Sequence, residues 1–211
     1  MRRGDQRTIT VDGKPLEAEY LGRGQCATAF RGLADGRVYL FVSEDDHMKN
    51  AVEMWTTDGM PHVPQLKRHA DDKARGKFRQ VYSSPFYPTR TAEHREAWAT
   101  YKTLKEAADR IRRAKYLGGW QPGGRSLLTD GLYFFQDVIE DTRGKVAESV
   151  TEALVELMNA ASNYGCSITC EFPVRNLGVD DAGRIVFRDI LFDAEKVQRQ
   201  WAEKSKRRGG W

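Results

Sequence analysis

At 211 residues the chain is long enough for one domain with a sizeable core, or for two very small ones. Hydrophobic residues make up 40%, while 30% charged residues, a mean hydropathy of -0.65 and a net charge of only +4 describe a globular protein with a wet surface. No run approaches the roughly 18 apolar residues of a membrane span, and the start MRRGDQRTITVDGK lacks the apolar stretch of a secretory signal, so a cytoplasmic setting without membrane attachment is expected.

The first forty residues read as strands at 8–11, 16–21, 27–33 and 37–42, with turn signals at Asp12-Gly13 and Asp35-Gly36. Short antiparallel hairpins in a curled sheet satisfy that pattern. From residue 45 to about 55 the period changes, with Met48, Val52 and Trp55 at helical spacing. Pro61, Pro64 and HADDKARGK (residues 69–77) mark loops around a strand at 63–68, and residues 78–83 make another strand. The Pro-bracketed stretch 84–91 then serves as a hinge.

Beyond it, Ala97, Trp98, Tyr101, Leu104, Ala108 and Ile111 recur every three or four residues, which predicts an amphipathic helix of about twenty residues. GGWQPGGR (residues 118–125) interrupts the chain, residues 127–139 are apolar and of ambiguous type, and Val146 to Ala161 repeats the helical period before Gly165. Two short strands at 177–179 and 184–187 flank Asp181-Ala182-Gly183, and a last helix covers 193–205. The fold class that follows is α+β: a small antiparallel sheet with one helix, then a mainly helical part.

Two constellations carry chemistry. LGRGQCATAF (residues 21–30) joins two predicted strands, with Gly22 and Gly24 where backbone could approach phosphates, Arg23 between them, and Phe30 as the bulky residue able to cover a ligand. An ordinary hairpin turn reads the same way. The second is EFPVRN (residues 171–176) followed by Asp189 after a short hairpin. In phosphoryl transfer a catalytic-loop acid takes or orients the acceptor proton, an Asn five residues on holds one metal ion, and an Asp beyond the next hairpin holds metal bridging the phosphates. Glu171, Asn176 and Asp189 have that spacing.

In LGRGQCATAF with GRVYLFV, in PHVPQLKRHA and in EFPVRN with RDILF, the chain resembles the early serine/threonine protein kinases of short-tailed bacteriophages, over residues 18–195. The resemblance implies a two-lobed protein-kinase-like fold, with residues 1–88 as the N-lobe and 89–211 as the C-lobe. It also implies ATP with magnesium, and phosphorylation of host proteins in the infected cytoplasm. The family's strand lysine is replaced by Leu40, so phosphate charge would fall to Arg23, Arg37, Lys49 or Lys67. Glu53 stands where the lysine's carboxylate partner is expected, or is a solvated helix charge. Glu171 replaces the usual Asp, Ile190-Leu191 stands for Phe-Gly, and Arg175 contacts either a phosphate or an acid. These departures keep a second reading open, a pseudokinase that docks on a host transcription or defence factor without transferring phosphate.

The remaining features are quieter. Cys26, Cys166 and Cys170 form no disulfide framework, and Cys166 with Cys170 reads as buried thiols rather than half of a zinc site, since the four histidines lie far upstream. The basic runs RIRRAK (110–115) and KSKRR (204–208) match no nucleic-acid motif, so nucleic acid is not expected as the main ligand.

Overall fold

The computed structural model describes residues 1–24, 27–42, 60–72, 79–89, 93–116 and 126–208. Six strands, β1 (Gln6–Val11), β2 (Lys14–Arg23), β3 (Ala27–Gly32), β4 (Val38–Val42), β5 (Lys67–Asp72) and β6 (Arg79–Ser84), form one antiparallel sheet in the order β1-β2-β3-β4-β6-β5. The β1–β2 hairpin closes through Asp12 (φ +50°) and Gly13 (φ +75°), the left-handed pair that matches strand twist in a two-residue turn.

Alternation sorts the strands into two faces. On one, Ile9, Val11, Ala18, Tyr20, Phe30, Tyr39, Phe41 and Val81 form a buried cluster, with Phe30 edge-on to Tyr20 (5.6 Å) and Phe41 (5.7 Å). The sheet curls around this cluster until its edges meet. Asp12 at the β1–β2 turn accepts from the Ala70 N–H at 2.8 Å and bonds His69 Nδ1 at 2.7 Å, so β5 closes against the first hairpin. The opposite face carries the cross-strand row Ala29, Leu40, Tyr82 and Arg68, and the neighbouring Arg31 lies over the Phe86 ring at 4.5 Å.

The helical part begins with α1 (Arg95–Ile111), which runs on through a single π turn (Arg112–Tyr116). Two helices follow, α2 (Leu127–Thr142) and α3 (Glu148–Ser162); Ser126 caps α2 by accepting from the Leu128 N–H at 3.2 Å. Then come β7 (Ile168–Cys170), β8 (Leu177–Val179), β9 (Ile185–Phe187), β10 (Leu191–Asp193) and α4 (Ala194–Arg208). β7 pairs with β10 and β8 with β9, both antiparallel. Phe134, Phe135, Leu104, Leu154, Leu157, Ile168 and Phe187, each at most 1% exposed, centre the core. A Cβ on Gly131 would stand 2.7 Å from the Ile168 carbonyl oxygen, so glycine is what lets α2 lie directly on β7.

The architecture is therefore α+β, a curled antiparallel sheet followed by a helical part, as the element order predicts. Among the described residues no helix is long and apolar enough to cross a membrane. The strand expected at 63–68 begins at Lys67 instead and takes in His69 to Asp72, which had read as loop. Residues 60–66 are diverted because Val63, with Met60 and Leu66 against it, joins the helical core rather than the sheet. The predicted helix at 45–55, with Lys49 and Glu53, and the Gly/Pro-rich loop at 118–125 lie outside the described residues.

Candidate active site

The loop after β7 is fixed at both ends by backbone. β7 and β10 pair Cys170 with Leu191, and the Glu171 N–H donates to the Ile190 carbonyl at 2.8 Å, carrying the ladder one residue further. Pro173 enters a 3-10 turn (Val174–Asn176), where the Asn176 N–H donates to the Pro173 carbonyl at 2.9 Å. The Asn176 carbonyl in turn accepts from the Arg188 and Asp189 N–H groups at 2.8 and 3.3 Å. The hairpin β8–β9 thus returns Asp189 to the backbone of Asn176, thirteen positions earlier in the sequence.

Side chains complete the cluster. Asn176 Nδ2 donates to Glu171 Oε1 at 3.3 Å, which leaves the amide oxygen of Asn176 to face a different partner. Arg175 Nη2 stands 3.6 Å from the same carboxylate oxygen, but its side chain is 74% exposed, so this ion pair contributes little to stability. Glu171, Asn176 and Asp189, chosen from sequence spacing, and Arg175, singled out beside Asn176, are brought together by backbone bonds and by contacts to one carboxylate.

Arg188 is the organising residue that sequence reasoning missed. It donates to the Tyr87 carbonyl at 3.1 Å and to the Arg175 carbonyl at 2.6 Å, tying the segment after β6 to the 3-10 turn at Val174–Asn176. Burial works against its charge, and the adjacent Asp189 carboxylate works for it. Behind it, the Val179 N–H donates to the Pro88 carbonyl at 3.0 Å, and Gly178 leaves no room for a Cβ, which would meet Tyr87 Cβ at 2.5 Å. No sequence signal separated Arg188 from an ordinary arginine, because its partners are carbonyls distant in the chain.

The candidates in the sheet are placed less uniformly. Gly22 carries φ +156° at a register shift in β2, and the Gly24 N–H donates to the Ala27 carbonyl at 2.8 Å, linking the end of β2 to the start of β3. Arg23 is exposed at that end of β2, in register with Thr28 and Phe41. Phe30 was expected to cover a ligand; its ring is instead enclosed in the sheet's aromatic cluster, since hydrophobic burial inside the curled sheet claims the residue. Leu40 stands on the other face, level with Tyr82. Of the alternative cations, Arg37 donates through Nε to Ser83 at 3.4 Å and Lys67 pairs with Ser83 in register, both on the Phe41 side. Arg68, not considered from sequence, shares the face of Leu40.

Two further clusters hold reactive side chains. His69 bonds Asp12 through Nδ1 and Ser83 Oγ through Nε2 at 2.8 Å, an order that resembles a nucleophilic triad, yet Ser83 is 1% exposed inside the sheet and closed to substrate. Cys166 is exposed, whereas Cys170 is fully buried, its thiol pKa pushed up by burial, so the expectation of two buried thiols holds for only one. Among the described residues no group of three or more His, Cys, Asp or Glu is arranged to hold a metal.

No protein-family model matches this sequence, and no curated protein matches it. Among solved structures, a thermostable mutant of aminoglycoside phosphotransferase APH(4)-Ia in its apo form is similar at 19% identity and a TM-score of 0.37, over 83% of this chain and 68% of that one. A second structure of aminoglycoside phosphotransferase APH(4)-Ia is similar at 20% identity and a TM-score of 0.35, over 84% and 68% of the two chains. At these scores the likeness is coarse, and no residue role follows from it.

Proposed function

We infer that the chain is a divergent phosphotransferase of protein-kinase type, one domain with residues 1–88 as N-lobe and 89–211 as C-lobe. It moves the γ-phosphoryl group of ATP to serine or threonine hydroxyls of host proteins in the cytoplasm of an infected cell. The observation that carries the reading is the closed cluster in which Asn176 bonds Glu171 through its side chain and Asp189 through its carbonyl. Amide and carboxylate oxygens on two such segments are the hard donors magnesium takes, with substrate phosphates and water completing the shell. Asn176 Oδ1 and the Asp189 carboxylate would hold the ion, which supplies neutralisation of phosphate charge when bound.

The remaining work falls to the chain's own groups. Glu171 accepts the proton of the acceptor hydroxyl as its oxygen bonds to phosphorus and the bond from phosphorus to the β-phosphate oxygen breaks, releasing ADP. Gly22 and Gly24 let the end of β2 approach the phosphates, and Arg23 stands at that end. Arg188 keeps Asn176 and the hinge in fixed relation, so that the carboxylate does not drift; a displacement of about 1 Å can cost a hundredfold in rate.

One observation favours the pseudokinase reading. Leu40 presents no charge on its face of the sheet, and its row holds only apolar and aromatic neighbours up to Arg68. Incubation with ATP, magnesium and mixed host proteins separates the two. A working enzyme gives phosphoserine or phosphothreonine that Asp189→Ala and Asn176→Ala abolish. A pseudokinase gives none, while an ATP–magnesium thermal shift still disappears in both variants. If neither transfer nor any shift occurs in the wild type, the phosphotransferase reading falls, as does a pseudokinase that holds nucleotide.

A further inference from the structure

A cavity of about 200 Å³ lies against Glu171, lined by Phe172 and Pro173 from the loop and by Lys105, Ala108, Asp109 and Arg112 from α1 and its π turn. Its charges are not equivalent. Lys105 Nζ is paired with Asp109 at 2.5 Å, and Glu171 is engaged by Asn176 and Arg175, so these three are already compensated. Arg112 is different: its guanidinium lies over the Phe134 ring at 5.5 Å, and its Nε is buried with no hydrogen-bond partner among the described residues. A buried donor left unsatisfied is disfavoured, and a planar guanidinium matches carboxylate or phosphate two bonds at a time.

The face of α1 that lines the cavity extends toward the start of the helix. Trp98, Tyr101, Lys105, Ala108 and Arg112 follow one another at three- and four-residue steps and so share a face of α1. Trp98 is 47% exposed and packs at a tilt against Tyr101 with ring centroids 5.5 Å apart, giving an aromatic track that leads to the cation. A small acid would fill only the cavity. An extended chain would use both.

We propose that this cavity seats an acidic group of the acceptor, so that the substrate is an acidic segment of a protein chain, its carboxylate or phosphate on Arg112 and its serine or threonine hydroxyl at Glu171. The proposal rests on the phosphotransferase reading for its catalytic half and on Arg112 alone for its binding half. Arg112 offsets the repulsion that Glu171 would otherwise impose on an acidic acceptor, and it disfavours acceptors that carry positive charge. The reaction is the one already balanced: ATP supplies the phosphoryl group, the hydroxyl oxygen gains it, Glu171 takes the proton and ADP leaves.

The test uses labelled peptides with a central serine flanked by glutamate, by phosphoserine, by glutamine or by arginine, with binding read by fluorescence anisotropy and transfer read with labelled ATP and magnesium. The wild type should bind glutamate or phosphoserine peptides about tenfold or more tightly than the glutamine peptide. Arg112→Gln should erase that preference and Arg112→Lys should restore part of it. Lys102→Gln, on an exposed part of α1 and paired with Glu106, should leave it intact. Equal binding of acidic and neutral peptides by the wild type, or a preference that survives in folded Arg112→Gln, overturns the proposal. A preference for free phosphoserine equal to that for the peptides overturns the assignment to a protein chain. If the acidic preference and its loss in Arg112→Gln are seen but no peptide is phosphorylated, the phosphotransferase reading fails while the anion seat stands.

Discussion

His62 offers the sharpest measurement of how the sheet-bearing half is fastened to the helical half. Its ring is 5% exposed, with Nδ1 donating to the Ile185 carbonyl at 2.8 Å and Nε2 accepting from the Ser149 hydroxyl at 2.9 Å, while its own carbonyl accepts from the Phe187 N–H at 2.8 Å. His62→Ala removes two side-chain bonds, each contributing about 1 kcal/mol, and orphans a buried carbonyl at a cost of about 1–3 kcal/mol. A total of about 3–5 kcal/mol corresponds to a Tm lowered by roughly 6–20 °C in a chain of this size. Ser149→Ala should lose only about 1 kcal/mol. The pH dependence gives a second handle. Burial lowers the His62 pKa below its ordinary value of 6.5, so the unfolded chain binds the proton more readily than the folded one. The stabilisation is complete above about pH 6.5 and is lost as pH falls from there toward the folded-state pKa, at no more than about 1.4 kcal/mol per pH unit. Urea unfolding of wild type and His62→Gln between pH 5 and pH 8 checks this, on the order of one proton's difference in slope. If the two proteins keep the same slope, the ring is not held neutral by burial and the account is wrong.

Other consequences can be checked in parallel. Gly178→Ala drives a Cβ into Tyr87 and should destabilise by about 1–3 kcal/mol; on the proposed phosphotransferase reading, transfer falls by more than stability alone explains, because Tyr87 and Arg188 shift together; unchanged melting would show that the contact relaxes freely. Native-state alkylation at pH 8 should label Cys166 readily and Cys170 only on unfolding, which peptide mass spectrometry resolves; equal rates would contradict the burial of Cys170. His69→Ala should loosen β5 from the first hairpin, raising amide exchange at Ala70, whose N–H bonds the same Asp12.

The alternation of residues 8–11, 16–21, 27–33 and 37–42, together with the Asp12-Gly13 turn, was enough to place four strands, because period and turn chemistry are local properties. Local spacing likewise marked Glu171, Asn176 and Asp189, since a hairpin of fixed length returns the chain to a fixed place. Tertiary packing decided what locality cannot express. Phe30 goes into the sheet's interior because the edges of a curled sheet close there, and residues 60–66 leave the sheet because Val63 finds a deeper burial among the helices. Arg188 and His62 gain their roles from carbonyls and a hydroxyl far along the chain, and Arg112 differs from its basic neighbours only through what surrounds its Nε. Sequence thus determined most of the elements and the spacing of Glu171, Asn176 and Asp189; the fold alone determined which side chains are enclosed, which are fastened and which are left exposed.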